Sequence, residues 1–387
     1  MFVDSVIKNN MSLLKEVIEL HKCGRILPDS YVIDVDTFVD NAKIMLEKAR
    51  SLKLKMYFML KQVGRNPYLA KKLIETGYES AVVVDFKEAQ IMMENDIPLG
   101  NVGHLVQTPK HLLKKVIDYG AEVITVYTYE KMAEINEAAK ESNKVQDILI
   151  RVYDDGDSIY SGQEAGITLT DLEGVVRNAN ELKNIKIVGV TSFPCFLYDD
   201  EINDFRPTHN LETVLKAKEI LIKNNIDVKE INLPSTTCCR TLDLLKKYGG
   251  THGEPGHGLS ASTPLHAKMD LKEKPCVVYV SEVSHNFKDH GYVYGGGIYR
   301  RGHMENCLVG ENLEHYHIKT PDIDSIDYHF VLDRKAKVSD IAIMAFRFQI
   351  FVTRSTVVLI EGLKTGTPHI VGVYDSEGHR MRGDFDE

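Results

Sequence analysis

The chain has 387 residues, of which 43% are hydrophobic and 27% charged, and its formal net charge is -9. This length exceeds the usual size of one core, so we expect two domains, or one large barrel with an appendage. The acidic balance argues against a nucleic-acid or anionic-membrane surface, because both need a basic footprint. A role with a small-molecule substrate is therefore favoured.

The first residues and the cysteines bear on the compartment. The start, MFVDSVIKNNMSLLKEVIEL, has no basic segment followed by an apolar core and a small-residue cleavage site. No stretch reaches membrane-spanning length. The six cysteines form no CxxC pair, and only Cys238 and Cys239 are neighbours, where a disulfide would be strained. We expect a cytoplasmic protein with free thiols.

In chain order, a helical segment at residues 1–28 precedes YVIDVDTFVDNAKIMLEKA, a strand leading into a helix that should begin near Asp36 or Thr37. Short apolar runs then alternate with amphipathic helical patterns, several of which end in a glycine such as Gly77 or Gly120. The eight runs are 55–61, 80–84, 101–106, 122–127, 147–153, 185–192, 228–233 and 249–254. Eight βα units predict a closed (β/α)8 TIM-like barrel over residues 29–275, with an open doubly wound sheet as the competitor.

After residue 275 the pattern changes to strand-like runs and turns. Examples are CVVYVSEV, GYVYGGGIYRR and IAIMAFRFQIFVTRSTVVLIE. They predict a C-terminal all-β domain over residues 276–387. The fold class expected is therefore α/β, a barrel followed by a β domain.

Two segments could carry chemistry. Lys61 ends the run MYFML, which in a barrel places its amine at the catalytic C-terminal rim, where desolvation favours the neutral nucleophile. A lysine reaching solvent from a strand end is the other interpretation. In GEPGHGLSASTP, residues 253–264, a carboxylate can face a protonated heterocyclic nitrogen while the Gly256–Gly258 segment offers donors to a phosphate. The alternative is a turn shaped only by its proline and glycines.

Together, an early strand-end lysine and a late EPGH in an eight-unit array resemble the fold-type III enzymes of pyridoxal 5'-phosphate (PLP). These include alanine racemase and the ornithine and diaminopimelate decarboxylases. The sequence most resembles the YhfX-like group of alanine-racemase-related proteins. The resemblance covers nearly the whole chain and is carried by KMYFMLKQVGRNP (55–67), GEPGHGLSASTP and FRFQIFVTRS (346–355).

The resemblance implies that Lys61 forms the Schiff base with PLP and that Glu254 pairs with the pyridinium nitrogen. A charge-assisted hydrogen bond of this kind contributes about 1.5–3 kcal/mol. Gly256 and His257 match the Gly-Arg of the decarboxylases, with His257 in place of a phosphate-binding arginine. The glutamate itself is a feature of the decarboxylases, since alanine racemase has an arginine near that nitrogen.

Other cofactor contacts are implied by position. Ser235 and Thr236, in LPSTTCC, match the phosphate-binding end of the seventh strand, and a helix N-cap is the equally open alternative. Arg151 matches an arginine under the phenolic oxygen of the cofactor, and a buried arginine needs a partner. Phe193 stands where the family has a histidine over the pyridine face; a phenyl ring can stack but cannot donate a hydrogen bond.

The resemblance also implies that a neighbouring subunit completes the site from its β domain, and hence a head-to-tail homodimer. The candidates for its second acid are Tyr292, Tyr294, Tyr299 and Cys307, with Tyr294 first; ordinary strand packing is the other interpretation. Arg347 and Arg354 alternate with apolar residues, which suits a carboxylate clamp for the substrate or a solvated strand face. The histidine pairs lack ligands at metal spacing, so no metal is expected.

The function expected is racemisation of an amino acid. Lys61 would remove the α-proton on one face, and Tyr294 or Cys307 would return one on the other. Decarboxylation is the alternative that EPGH favours, although only MENCLVG stands where the decarboxylases have PTCDGLD. A non-catalytic PLP-binding protein is a further alternative, against which the large β domain argues. A barrel enzyme without PLP is the last.

Overall fold

The computed structural model describes residues 2–322 and 324–381. Contacts within the chain divide it into two units. The first, which we call the β unit, comprises the residues up to Ile44, the segment Lys61–Leu69 and the residues from His257 onwards. The second, the barrel unit, comprises Met45–Leu60 and Ala70–Gly256. Among the described residues, no helix combines the length and the apolar character needed to cross a membrane.

The chain begins with helices α1 (Phe2–Asn9) and α2 (Met11–Lys22), followed by strand β1 (Ser30–Asp34) and helix α3 (Val35–Ser51). The backbone N–H of Thr37 donates to the carboxylate of Asp34 over 3.1 Å. This bond satisfies a donor in the first turn of α3, which explains why the helix begins slightly earlier than the sequence predicts.

The barrel unit contains all eight expected strands and three additional short ones. In chain order its strands are β2 (Lys55–Met56), β3 (Ala81–Val83), β4 (Leu99–Val102), β5 (Val123–Val126), β6 (Gln146–Tyr153), β7 (Ile167–Thr168), β8 (Ile185–Thr191), β9 (Phe196–Asp199), β10 (Asp204–Pro207), β11 (Glu230–Asn232) and β12 (His252–Gly253). Strand β7 pairs with β6, and β9 with β10.

The eight principal strands are parallel and form a closed ring. Strands β3, β4, β5, β6, β8 and β11 pair in that order, and β12 pairs with β2. Two links close the ring: Val82 N donates to Phe58 O over 2.7 Å, and Thr251 N donates to Ile231 O over 3.1 Å. The closed barrel is therefore confirmed, and the open doubly wound sheet is wrong.

Helices alternate with these strands, as the 3.6-residue periodicity predicts. They are α4 (Pro67–Thr76), α5 (Phe86–Glu94), α6 (Lys110–Tyr119), α7 (Tyr129–Glu141), α8 (Leu169–Ala179), α9 (His209–Lys223) and α10 (Cys239–Lys247). Gly77 and Gly120 follow α4 and α6 with φ angles of 105° and 107°. This left-handed backbone favours glycine, so both helix ends agree with the sequence.

The β unit contains a largely antiparallel sheet. Its remaining strands are β13 (Val277–Phe287), β14 (His290–Tyr294), β15 (Asn306–Val309), β16 (Glu314–His317), β17 (His329–Val331), β18 (Ile341–Met344), β19 (Thr356–Glu361) and β20 (His369–Tyr374). The order is β16-β15-β18-β13-β1-β19-β20, and β14 pairs with both β13 and β17. Strand β1, expected at the start of the barrel segment, lies in this sheet between β13 and β19. All five of its residues are buried, which suits a central strand.

The long run that ends in VTRSTVVLIE is not one strand, so that prediction is wrong. Strand β18 ends at Met344, a 3-10 turn occupies Ile350–Val352, and β19 starts at Thr356. Thr353 N donates to Ile350 O over 2.9 Å. This N–H is used in a local turn, so it does not pair with a neighbouring β-strand. Arg347 and Arg354 therefore lie outside both strands, and their alternation with apolar residues does not define a strand face.

Candidate active site

The carboxyl ends of β2 and β12 lie side by side in the barrel unit. Tyr57 N donates to Gly253 O over 3.1 Å, and Met59 N donates to Pro255 O over 3.0 Å. Lys61 comes two residues after Met59 in the chain, and Glu254 directly precedes Pro255. Because catalytic groups of (β/α)8 barrels lie at the carboxyl ends of the strands, this edge is the candidate site.

Glu254 is a buried carboxylate with only part of its hydrogen-bonding capacity used. It is 6% exposed, and its Oε1 accepts a hydrogen bond of 2.9 Å from Asn232 Nδ2. Its Oε2 is buried and has no hydrogen-bond partner among the described residues. Burial by itself raises the pKa of Glu254, but His104, His252 and the side chain of Asn101 together outweigh it and hold the pKa below the usual glutamate value. The group is therefore an ionised acceptor able to pair with one more donor.

Ser235 and Thr236 form a strained loop after β11. Their φ angles are 116° and 54°, a left-handed region that non-glycine residues seldom adopt. Thr236 Oγ1 is buried and has no partner within the described part of the chain. The N-cap interpretation of these residues is wrong, because helix α10 begins at Cys239 with Cys238 as its cap. Strain of this kind is typical of ligand-binding loops.

Arg151 is buried and Phe193 is partly buried, and each contacts other side chains of the barrel unit. Arg151 is 2% exposed on β6 and donates to Gln163 O over 2.8 Å and to Tyr127 Oη over 3.4 Å, both neutral groups. The ring of Phe193 lies 5.9 Å from that of His104, edge to face. The sequence does not single out His104, because its segment NVGHLV has the pattern of a buried apolar strand. The feature that could have indicated it is a histidine two residues after the end of β4, at the carboxyl end of a barrel strand.

Lys61 and His257 belong to the β unit. Lys61 opens a 3-10 turn, Lys61–Val63, and its Nζ lies 5.9 Å from the ring centroid of Phe351. His257 Nδ1 lies 3.0 Å from Ser262 Oγ, and its Nε2 is buried without a partner in the described segments. Burial first, and then the charges of Arg347 and Lys61, lower the pKa of His257 well below its usual value. The imidazole is neutral, and in the tautomer that accepts the Ser262 hydroxyl at Nδ1, the Nε2–H is a donor.

The candidates for the second acid differ in accessibility. Tyr294, the last residue of β14, is 38% exposed. Cys307 lies inside β15 with no exposed surface, and burial strongly raises the pKa of its thiol. Tyr292 stacks on His285 with ring centroids 4.7 Å apart. The geometry favours Tyr294 over Cys307, because an acid needs access to its substrate.

The two candidate arginines also differ. Arg354 is exposed, and its guanidinium holds Asp327 through Nη1–Oδ1 at 2.7 Å and a 2.9 Å bond to the backbone oxygen. Arg347 is half-buried, and its Nε is buried without a partner among the residues described. Since Arg354 already has a carboxylate partner, Arg347 is the better candidate for a substrate carboxylate.

Comparison with known proteins agrees with the fold of both units. Residues 33–264 match the alanine racemase N-terminal domain, which is the class that the barrel and its rim define. Residues 278–370 match the YhfX-like C-terminal domain. The chain is 42% identical over 385 residues to the "Uncharacterized protein YhfX" of Escherichia coli strain K12, covering 98% of this chain and all of that protein. The chain therefore belongs to the YhfX-like family of alanine-racemase-related proteins.

Solved structures share the fold at low sequence identity. D-threo-3-hydroxyaspartate dehydratase from Delftia sp. HT23 matches with a TM-score of 0.66 and 14% identity, covering 92% of this chain and 98% of that one. Alanine racemase from Clostridium difficile 630, in complex with cycloserine, matches with a TM-score of 0.62 and 16% identity, covering 90% and 99%. Proteins of the alanine racemase family typically use PLP, act on small molecules and form dimers.

Proposed function

We propose that this chain is a PLP-dependent amino-acid racemase, in which Lys61 holds the cofactor and Glu254 faces the ring nitrogen. One observation carries the proposal. Glu254 is buried and ionised with an unpartnered Oε2, and its strand is hydrogen-bonded to the strand that leads into Lys61. A protonated pyridine nitrogen is a donor whose charge and shape suit that oxygen.

The remaining polar groups fit the other ends of the cofactor. Thr236 Oγ1 and His257 Nε2 are buried donors without partners among the described residues, and both suit a phosphate. Arg151 would face the phenolic oxygen, and Phe193 would stack on the ring. When bound, PLP supplies an electron sink for the electron pair released at the α-carbon.

The protein's own part in the reaction is the movement of protons. The amine of Lys61 accepts the α-proton from one face of the substrate. The phenol of Tyr294, from a second copy of the chain, donates a proton to the opposite face, so the carbon is inverted. Each group then regains its starting state by exchange with solvent. This division requires the expected head-to-tail homodimer, which stays a prediction, as does the cytoplasmic location.

The experiment combines chemical labelling with isotope exchange. The protein is loaded with PLP and reduced with borohydride, and the modified lysine is mapped by mass spectrometry. Loaded protein is then incubated in heavy water with pooled L- and D-amino acids, which are analysed by mass spectrometry and chiral chromatography. Modification of Lys61 together with deuterium gain and inversion is the expected result. Absence of any visible cofactor band and of any reducible lysine would establish a barrel enzyme without PLP.

Decarboxylation remains the second candidate because of Glu254, since that glutamate is the feature that the decarboxylases share. It uses the same electron sink but replaces the substrate carboxylate, lost as carbon dioxide, with a proton. The same incubation separates the two reactions: the decarboxylase yields an amine, whereas the racemase yields the opposite enantiomer. PLP attached to Lys61 without any product from the pooled amino acids would favour the non-catalytic PLP-binding alternative.

A further inference from the structure

The interior of the barrel unit is polar near Glu254. Side chains two residues apart on a strand face the same side, so His252 accompanies Glu254 and Glu230 accompanies Asn232. Tyr57 joins them: its ring lies edge to face with His252 at 5.1 Å, and its hydroxyl lies 3.1 Å from Glu122 Oε2 and 3.4 Å from Glu230 Oε1. Barrel interiors are commonly filled by branched apolar side chains. This cluster differs, because it contributes charges and hydrogen bonds in place of apolar packing.

Two histidines are the groups that can offset the negative charge of Glu254. His252 is 2% exposed, and its Nε2 lies 3.5 Å from Glu254 Oε1. Its Nδ1 lies 3.0 Å from Thr251 Oγ1, a contact that orients the ring. His104 is equally buried and is the largest electrostatic influence that lowers the pKa of Glu254.

Of the other titratable groups in this cluster, Lys55 supplies positive charge to Tyr57 and Glu230: its Nζ donates to Tyr57 Oη over 2.9 Å, and it lowers the pKa of Glu230. Burial raises the pKa of the Tyr57 phenol and of the Cys195 thiol, so both stay neutral. Burial raises the pKa of Glu230; His252 and Lys55 act against this rise, while Glu122 and Glu254 add to it. An ionised carboxylate inside a barrel is costly unless it is paired. The amide of Asn232 stabilises Glu254 by hydrogen bonding, the side chain of Asn101 also lowers its pKa, and the two histidines are the groups beside it that can add positive charge.

We infer that His104 and His252 are positioning residues for Glu254, holding it as an anion just beyond the end of β12 so that the shared proton stays on the cofactor's ring nitrogen. This inference rests on the proposed role of Glu254. The proton can lie on the ring, giving an ion pair, or on Glu254, giving two neutral groups. Positive charge beside Glu254 favours the ion pair, and the ion pair is the form in which the ring withdraws electrons best.

The first test needs no cofactor. The carboxyl groups of glutamate are labelled with carbon-13 in the apo-protein, and the Glu254 signal is assigned by its absence in Glu254→Gln. In the unaltered protein the pKa of the Glu254 carboxyl should lie below the value of an ordinary glutamate, about 4.3. In His252→Gln and His104→Gln it should move upward, and in the double variant it should exceed the ordinary value because burial then dominates. The matched control is His111→Gln, at an exposed position on α6, which should leave the signal unchanged.

Glutamine can form hydrogen bonds but carries no charge. If either histidine acts only through hydrogen bonding and packing, its replacement by glutamine should leave the pKa of Glu254 unchanged. An unchanged Glu254 titration in both variants overturns the inference. If a variant fails to fold, the unaltered protein still decides: the imidazole signals of His104 and His252 must shift over the pH range in which Glu254 titrates. Independent titration of the three groups overturns the inference as well.

The second test uses the loaded protein and PLP labelled with nitrogen-15 in the ring. The ring nitrogen should be protonated in the unaltered protein and should lose protonation in the double variant at the same pH. A carboxyl that responds to the histidines beside a ring nitrogen that does not respond would remove Glu254 from the cofactor and refute the proposed function. The coupling of the three side chains would then stand, so the two failures are distinguishable.

Discussion

Replacement of Glu254 by glutamine should weaken retention of the cofactor and slow α-proton exchange together. Glutamine has nearly the same shape and can still accept the hydrogen bond from Asn232, so the barrel should keep its fold. What is lost is the charge on the oxygen that, in the proposed site, faces the ring. A charge-assisted hydrogen bond contributes about 1.5–3 kcal/mol, which corresponds to a loss of about 10- to 150-fold. Dissociation of PLP is followed by visible absorbance after dilution, and exchange by deuterium uptake.

The control is Glu219→Gln, an exposed position on α9, which should change neither quantity. Equal cofactor affinity and equal exchange in Glu254→Gln and the control would refute the reasoning. The apo-protein provides a further check. Since the folded-state pKa of Glu254 is lowered, its ionisation adds stability at neutral pH that disappears as the pH falls through that pKa. The variant should therefore lose less stability than the unaltered protein as the pH falls through that pKa, when both are measured by urea unfolding.

Three other predictions follow from particular positions. Lys61→Ala should abolish both covalent attachment of PLP and isotope exchange, whereas Lys71→Ala, an exposed change on α4, should abolish neither; full turnover by Lys61→Ala would remove the central proposal. Tyr294→Phe should retain PLP but slow inversion by at least about 100-fold, the usual scale of a lost general acid, and an equal loss in Cys307→Ser instead would reverse the assignment. Gly189→Ala should lower the free energy of unfolding by about 3 kcal/mol or more, because its Cβ would lie 1.8 Å from a backbone oxygen of β11. Urea unfolding measures this effect, and a loss no larger than in Gly174→Ala, where a Cβ meets nothing within 4 Å, would contradict it.

The barrel could be predicted from the sequence because each of its strands and helices is marked by a pattern within its own short segment. Each strand is a short apolar run, each helix has its own periodicity, and Gly77 and Gly120 mark helix ends by a conformation that only glycine adopts easily. Eight repetitions of one unit then leave few architectures. The rim residues followed from the same pattern, since a residue at the end of a parallel strand lies at the carboxyl edge.

What the sequence did not reveal depends on contacts between distant segments. Strand β1 precedes the barrel strands in the chain, yet it pairs with β13 and β19, and no local pattern distinguishes that sheet from the barrel. The polar barrel interior was missed for a similar reason. His252 belongs to a weak strand of two residues, and its orientation toward Glu254 depends on the register that β12 adopts against β2.

The choice between racemisation and decarboxylation depends on which group donates a proton to the α-carbon from the face of the substrate opposite Lys61. In the proposed site an ionised Glu254 supports either reaction, because both would deliver an electron pair to the same protonated ring. A racemase needs an accessible acid on the opposite face, and Tyr294 is partly exposed at a strand end. The decarboxylase interpretation relies on Cys307, whose thiol is enclosed within the sheet and held protonated by burial. The interpretation that uses an accessible group is the stronger one, which is why the comparison of Tyr294→Phe with Cys307→Ser decides between them.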